Sequence, residues 1–157
     1  MMRVFIVFML MFVGANSVSA QTYIYKQDSR STDDIVYTIE NNKVYIGNNT
    51  FNRIVLYTIK DNKVYIGNSI SSFSCAYTID GNKVYRGESR FTNDLVYFIQ
   101  DNKVYRTDFP SSFNCILTFD SNKIYFGDST FSNSLIYTIS QNTNLSLATL
   151  SVIIGPY

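Results

Sequence analysis

From Tyr23 to Asn142 the chain alternates short apolar runs with short polar breaks, and the runs are of two kinds. The first kind is Lys43-Val44-Tyr45-Ile46-Gly47, which returns as Lys63-Val64-Tyr65-Ile66-Gly67, Lys83-Val84-Tyr85-Arg86-Gly87, Lys103-Val104-Tyr105 and Lys123-Ile124-Tyr125-Phe126-Gly127. A worn copy opens the series at Tyr23-Ile24-Tyr25. The second kind is Ile35-Val36-Tyr37-Thr38-Ile39, echoed around Tyr57, Tyr77, Tyr97, Leu117 and Tyr137. Such runs, rich in Val, Ile, Tyr and Thr, suit a pleated and half-buried surface and predict strands. Between a second-kind run and the next first-kind run stand Asn41-Asn42, Asp61-Asn62, Gly81-Asn82, Asp101-Asn102, Ser121-Asn122 and Gln141-Asn142. Asn, Asp and Gly accept the positive φ of a tight hairpin turn. Each unit therefore predicts strand, turn, strand and then a polar loop such as Gly87-Glu88-Ser89-Arg90. Helical spacing is absent, so the expected class is all-β.

The period is twenty residues, and six units fill residues 23–142 without an insertion. A lone hairpin is marginal in water, so the units must bury their apolar faces on one another. The expectation is a domain over residues 21–142 of tandem β-hairpin repeats stacked as a β-solenoid-like superhelix. Stacking in register would ladder equivalent side chains, including Asn42, Asn62, Asn82, Asn102, Asn122 and Asn142. Turn chemistry alone explains those asparagines equally well.

A longer period of forty overlies the first. Ser71-Ser72-Phe73-Ser74-Cys75 matches Ser111-Ser112-Phe113-Asn114-Cys115, whereas three of the other units place Phe51, Phe91 and Phe131 two positions earlier, and the opening unit has Ser31 and Asp33 at the two Phe positions. Two hairpins per superhelical turn would explain this, as would duplication of a forty-residue segment. The cysteines separate the geometries. Two units per turn would stack Cys75 on Cys115 and permit a disulfide. One unit per turn would set them ~9.5 Å apart, beyond the ~7 Å Cα limit of a bridge. A disulfide between Cys75 and Cys115 and a pair of free buried thiols both fit the sequence.

After Asn142 the repeat stops. Leu145 and Leu147 alternate with polar residues before the apolar run Leu150-Ser151-Val152-Ile153-Ile154. Residues 143–157 are expected to form a C-terminal strand, either capping the last hairpin or donated to the next molecule, because open sheet edges invite pairing. Membrane-spanning barrel strands need ~9–11 residues, longer than these runs.

The first twenty residues read as a signal peptide. Arg3 is followed by ten apolar residues from Val4 to Val13, and Val18-Ser19-Ala20 offers a small-residue cleavage site. Export to the cell surface or extracellular space is expected, with the periplasm also fitting. Without Arg3 the chain has 12 basic and 12 acidic residues and is formally neutral. Net charge then gives no attraction to nucleic acid or anionic lipid, so neither nucleic-acid binding nor membrane insertion after leader removal is expected. Arg86, Arg90 and Arg106 fall in neighbouring segments, where a solvated face is the simpler reading.

The chain has no His and no Trp among its 157 residues. Imidazole-dependent triads and most zinc sites are thereby excluded. Asp61, Asp80, Asp101, Asp108, Asp120 and Asp128 sit where turns and loops need them, and no stretch offers clustered calcium ligands. Neither an enzyme nor a cofactor is expected. What remains is surface: the loop residues Phe51, Phe91, Phe131, Phe73 and Phe113 are the candidate binding positions. The repeated Tyr37, Tyr57, Tyr77, Tyr97 and Tyr137 would stack on sugars or clasp a quaternary ammonium group, or else pack hairpin against hairpin.

The units resemble tandem NKVYxG/LYTI repeats of uncharacterised secreted bacterial proteins, over residues 23–142. In architecture they look like choline-binding repeats of bacterial surface proteins, which also carry one hairpin per ~20 residues; that family's sites use Trp, absent here. Length, leader and strand-loop-strand units also resemble curli subunits, which polymerise outside the cell. These likenesses imply a non-enzymatic structural or adhesive protein of the cell surface or matrix, assembling with copies of itself through β edges and the C-terminal strand. The other reading is a monomeric module that presents aromatic loops to a polysaccharide or a protein partner.

Overall fold

The computed structural model describes residues 21–48, 54–140 and 145–155. The expected leader and Phe51 lie outside the described residues. Twelve strands run in chain order: β1 Thr22–Lys26, β2 Ile35–Glu40, β3 Lys43–Ile46, β4 Val55–Lys60, β5 Lys63–Ile66 and β6 Cys75–Asp80. The second half adds β7 Lys83–Arg86, β8 Leu95–Gln100, β9 Lys103–Tyr105, β10 Cys115–Asp120, β11 Lys123–Phe126 and β12 Leu135–Ile139. Among the described residues one α-helix, α1, spans Leu147–Ile154.

Every strand pairs antiparallel with its sequence neighbours, and β1 pairs with β12, so the sheet is a closed barrel. This corrects the expected solenoid-like superhelix: the hairpin repeats are real, but they go round a ring instead of stacking along an axis. The physical cause lies in the pairing. Within hairpins the register is regular, as in Tyr37↔Ile46, Thr38↔Tyr45 and Ile39↔Val44. Between hairpins each pair carries a bulge, for example between Val44 and Tyr45, Val64 and Tyr65, and Val84 and Tyr85. A bulge bends its strand and sharpens the local twist. One bend per repeat curves the sheet until the sixth unit meets the first.

The meeting point is a hairpin without a turn. Ile24↔Ile139, Tyr25↔Thr138 and Lys26↔Tyr137 reproduce the register of Val44↔Ile39, Tyr45↔Thr38 and Ile46↔Tyr37. The details carry over. Gln27 N donates to Ile136 O at 2.8 Å as Gly47 N does to Val36 O. Thr138 Oγ1 donates to Gln27 O at 2.7 Å as Thr38 Oγ1 does to Gly47 O. Gln27 even takes the positive φ, 52°, that Gly47 holds at 66°.

The turns are as the sequence requires. Asn41 and Asn42 have φ of 51° and 61°, and Asp61-Asn62 and Asp101-Asn102 repeat the pattern, the two left-handed residues of a type I′ turn. Each turn also serves the next hairpin: Ile59 N donates to Asn42 O at 2.8 Å, and Ile79 N to Asn62 O at 2.8 Å. Asn42, Asn62, Asn82 and Asn102 are exposed in turns, so turn chemistry accounts for them rather than a ladder.

A twelve-strand barrel is wider than the eight-strand size that wall side chains alone can fill. Helix α1 fills the difference. Its residues from Ala148 to Ile154 are all buried. Leu150, Val152, Ile153 and Ile154 share one apolar cluster with inward residues from around the ring, among them Ile24, Val44, Val84 and Ile124. A helix apolar on every side is a buried helix. Where a strand was expected in residues 143–157, Leu147–Ile154 instead form a helix that occupies the lumen. Closure leaves no strand edge to pair with, so a segment inside the barrel must satisfy its backbone internally. Ser146 caps it, accepting from Thr149 N at 3.1 Å.

Candidate functional site: the open mouth and its aromatic loops

Antiparallel topology sends the two-residue turns to one end of the barrel and the long loops to the other. The inner wall has two levels. Near the turns, Ile24, Val44, Val64, Val84, Val104 and Ile124 are fully buried against the helix cluster. Near the long loops, Tyr37, Tyr57, Tyr77, Tyr97, Leu117 and Tyr137 face their cross-strand neighbours at the mouth. Those neighbours are Lys26, Ile46, Ile66, Arg86, Arg106 and Phe126, all exposed. The repeated tyrosines of the second-kind runs thus pack against the core.

The outer wall is held by polar ties. Thr38, Thr58, Thr78 and Thr118 each donate a 2.7 Å hydrogen bond to the carbonyl of Gly47, Gly67, Gly87 and Gly127. The fourth unit has Phe98 and Thr107 in those places, losing donor and glycine together. Lysines clasp adjacent hairpins: Lys63 to Glu88 at 2.7 Å, Lys83 to Asp108 at 3.7 Å, and Lys103 to Asp128. The hydrogen bond that Lys63 Nζ donates to Glu88 holds its ammonium above its usual range, and the one to Asp128 does the same for Lys103.

The candidate aromatics sit on the long loops. Phe73 and Phe113 are fully exposed, at 101% and 100%, and Phe91 and Phe131 are mostly exposed. The forty-residue period has a local meaning here. Phe73 lies inside the 3-10 turn Ser72–Ser74, whereas Phe91 and Phe131 sit just before the turns Thr92–Asp94 and Ser132–Ser134. Either way the ring projects from the same loop. Sequence reading missed Phe109, also mostly exposed, which shares the β9–β10 loop with Phe113. Four consecutive loops thus carry bare phenyl rings, while the β1–β2 loop, Gln27 to Asp34, carries none.

Cys75 and Cys115 are free thiols on β6 and β10. They lie four strands apart around the ring, about 19 Å along the sheet at the usual strand spacing, so no disulfide joins them. Each faces outward at a position that Ile, Val or Leu fills in other units. Burial raises the Cys115 thiol above its ordinary pKa.

Of the three arginines, two come together. Arg86 and Arg106 line a cavity of about 290 Å³ with Asn93, Asp94, Val96 and Tyr97, and Leu95 completes its wall. Arg90 instead lies 3.7 Å from Asp80 on the outer face. Tyr97 is 3% exposed, and its hydroxyl is buried without a hydrogen-bond partner. Burial, with Tyr77 and Tyr57 pushing the same way and Arg106 against, raises its pKa to about 12. An equivalent cavity of about 340 Å³ lies two units on, with Lys26 and Tyr137. Nothing in the sequence singled out Tyr97, because its place in the repeat matches four other tyrosines.

Among the described residues no cluster of His, Cys, Asp or Glu could hold a metal ion, and no helix is long and apolar enough to cross a membrane. A closed ring of six hairpin units around a helical plug, opening at one end into aromatic loops, defines a radial β-repeat protein. The 6-fold beta flower protein family model matches residues 24–152, and the chain belongs to that family. No curated protein and no solved structure matches the chain.

Proposed function

We propose that the protein is a secreted, non-enzymatic binding module of the cell surface or extracellular matrix that presents its aromatic loops to a polysaccharide. The observation carrying this reading is the set of bare phenyl rings on the long loops, Phe73, Phe91, Phe109, Phe113 and Phe131. Burying one Phe side chain is worth about 1.5–3 kcal/mol, so a folded chain that leaves five in water keeps that energy for a partner. Flat rings at repeated positions suit the C–H faces of successive sugars.

Assembly through strand edges fits this geometry less well. All twelve strands are paired on both sides, and the tail that would be donated is a buried helix. The strands run three to six residues, short of the ~9–11 that span a bilayer, and the outer wall carries ion pairs. These features favour a protein that stays outside the membrane as a discrete module.

Light scattering of the full chain, with binding to neutral and acidic polysaccharides, tests the reading. A monomer whose binding falls when Phe73→Ala and Phe113→Ala are combined supports it. Fibres, or polysaccharide binding indifferent to the loop rings, would overturn it. Binding to a protein alone would replace the polysaccharide with that partner.

A further inference from the structure

We propose that the cavity between Arg86 and Arg106 is a carboxylate subsite that selects an acidic sugar within the polysaccharide. This deepens the binding-module reading and rests on it. Strand β8 carries Tyr97 between β7, which ends at Arg86, and β9, which Arg106 follows. The two guanidinium groups therefore approach the cavity from both sides of the tyrosine. Guanidinium is the side chain best matched to a planar carboxylate, because its N–H groups pair with both oxygens.

The Tyr97 hydroxyl supplies the second, independent observation. It is shut away from water and has no hydrogen-bond partner, a costly condition for a donor. It remains a neutral donor at physiological pH, since its proton leaves only near pH 12. Tyr97 lines the cavity, and an acceptor bound there would satisfy the hydroxyl once the ring turns towards it. Tyr77 pairs across strands with Arg86 but is only half-buried, and the remaining inward tyrosines stand beside no arginine. Beside Tyr37 and Tyr57 the mouth residues are Ile46 and Ile66, and beside Tyr137 stands a single cation, Lys26.

The remaining lining selects within the class of anions. Asp94, which accepts from the Ser89 hydroxyl, sets one negative charge against the two arginines. The Asp94 carboxylate works against a dianionic phosphate at this wall. Asp94 and Asn93 offer acceptors for sugar hydroxyls, and Leu95 and Val96 offer an apolar wall for a ring face. The cavity is at the small end of ligand sites, the scale of one sugar unit. Phe91 and Phe109 on the adjoining loops continue the surface for neighbouring sugars.

The test titrates the full chain, by calorimetry, with oligosaccharides of galacturonate, glucuronate and N-acetylneuraminate, each beside its neutral methyl ester and beside inorganic phosphate. At least one acid should bind about tenfold more tightly than its ester. Arg86→Ala and Arg106→Ala should each remove about that factor for the acid and leave the ester unchanged. Tyr97→Phe should weaken the acid several-fold. The arginines are exposed, so their variants should melt with the parent chain, and Arg106→Lys, which keeps charge without the fork, should recover only part of the affinity. Equal binding of every acid and its ester, or arginine variants that bind the acid like the parent, would overturn the subsite. Phosphate matching the best acid would overturn the sugar assignment. Neutral binding that depends on Phe91 but not on the arginines would leave the module reading standing while this inference fails. Failure of all glycans would end both.

Discussion

Lys123 Nζ lies 3.1 Å from Asp28 Oδ1, which makes the same clasp across the chain's two ends that Lys63 makes with Glu88 inside the chain. In the repeat, each clasp joins a lysine to the acid twenty-five positions on. For Lys123 that position falls in the helical tail, and Asp28, one full ring earlier, takes its place. The ring treats its first and last strands as one more hairpin.

The seam should therefore tolerate being sealed. Joining Ser140 to Tyr23 through an Asn-Gly turn, and opening the chain at Asp61-Asn62, should give a permuted barrel with an unchanged circular dichroism spectrum, provided α1 is kept on a linker long enough to reach the lumen. A permutant that fails to fold with the helix supplied would show that β1 and β12 are not equivalent to an ordinary hairpin. Ile24 is fully buried in β1, so Ile24→Ala should cost about 2–5 kcal/mol in denaturant titration, as Val44→Ala should by a smaller amount. Lys123→Ala should change little, since Lys123 is only half-buried and Asp28 is exposed.

The plug carries the heaviest dependence. Ile153 is 1% exposed at the centre of the lumen cluster, and Ile153→Asp would bury a charge with no partner. That variant should be unfolded or molten by near-ultraviolet dichroism, while Ile153→Val should stay folded at a cost of about 0.5–1.5 kcal/mol. Ser146→Ala removes the N-cap and should cost about 1 kcal/mol. If Ile153→Asp folds normally, the helix is not what fills the barrel.

Much of this was legible in the chain, and what was not has a physical cause. The repeat fixed each strand, and the turns at 41–42, 61–62, 81–82, 101–102 and 121–122 fall where Asn, Asp and Gly demanded them. Closure was hidden because a twenty-residue period is the same for a ring as for a stack. The difference lies in a bulge between Val44 and Tyr45 and its copies, and bulges leave no residue signature here. One cue was available: the series opens on a first-kind strand at Tyr23 and ends on a second-kind strand at Ile139, two halves that complete each other. The tail misled because Leu145, Leu147 and Leu150-to-Ile154 carry an alternation that a free edge would have made a strand. The loop phenylalanines were readable as exposed, but the meeting of Arg86, Arg106 and Tyr97 needed the ring.

The thiols give a direct check on ring against stack. Both should titrate with a thiol reagent in denaturant without prior reduction, and reduction should leave gel mobility unchanged. In the folded protein Cys75, which is partly exposed, should react before Cys115, which is buried with a raised pKa. A disulfide found after air oxidation of the folded chain would contradict the four-strand separation.

Tyr97 predicts alkaline behaviour. Its folded pKa of about 12 lies above the ordinary 10.0, so between these values the unfolded chain releases a proton that the folded chain keeps. Folding then loses stability as pH rises. The contribution is fully present below pH 10 and is lost progressively towards and through pH 12. Denaturant midpoints measured across that window should fall, and Tyr97→Phe should flatten part of the fall because no phenol remains to ionise. Spectrophotometric titration of the folded protein should show one phenol ionising late in the parent and missing in the variant. If Tyr97→Phe leaves the alkaline slope untouched, the buried hydroxyl is reaching water or a partner, and the donor role assigned to it at the mouth loses its basis.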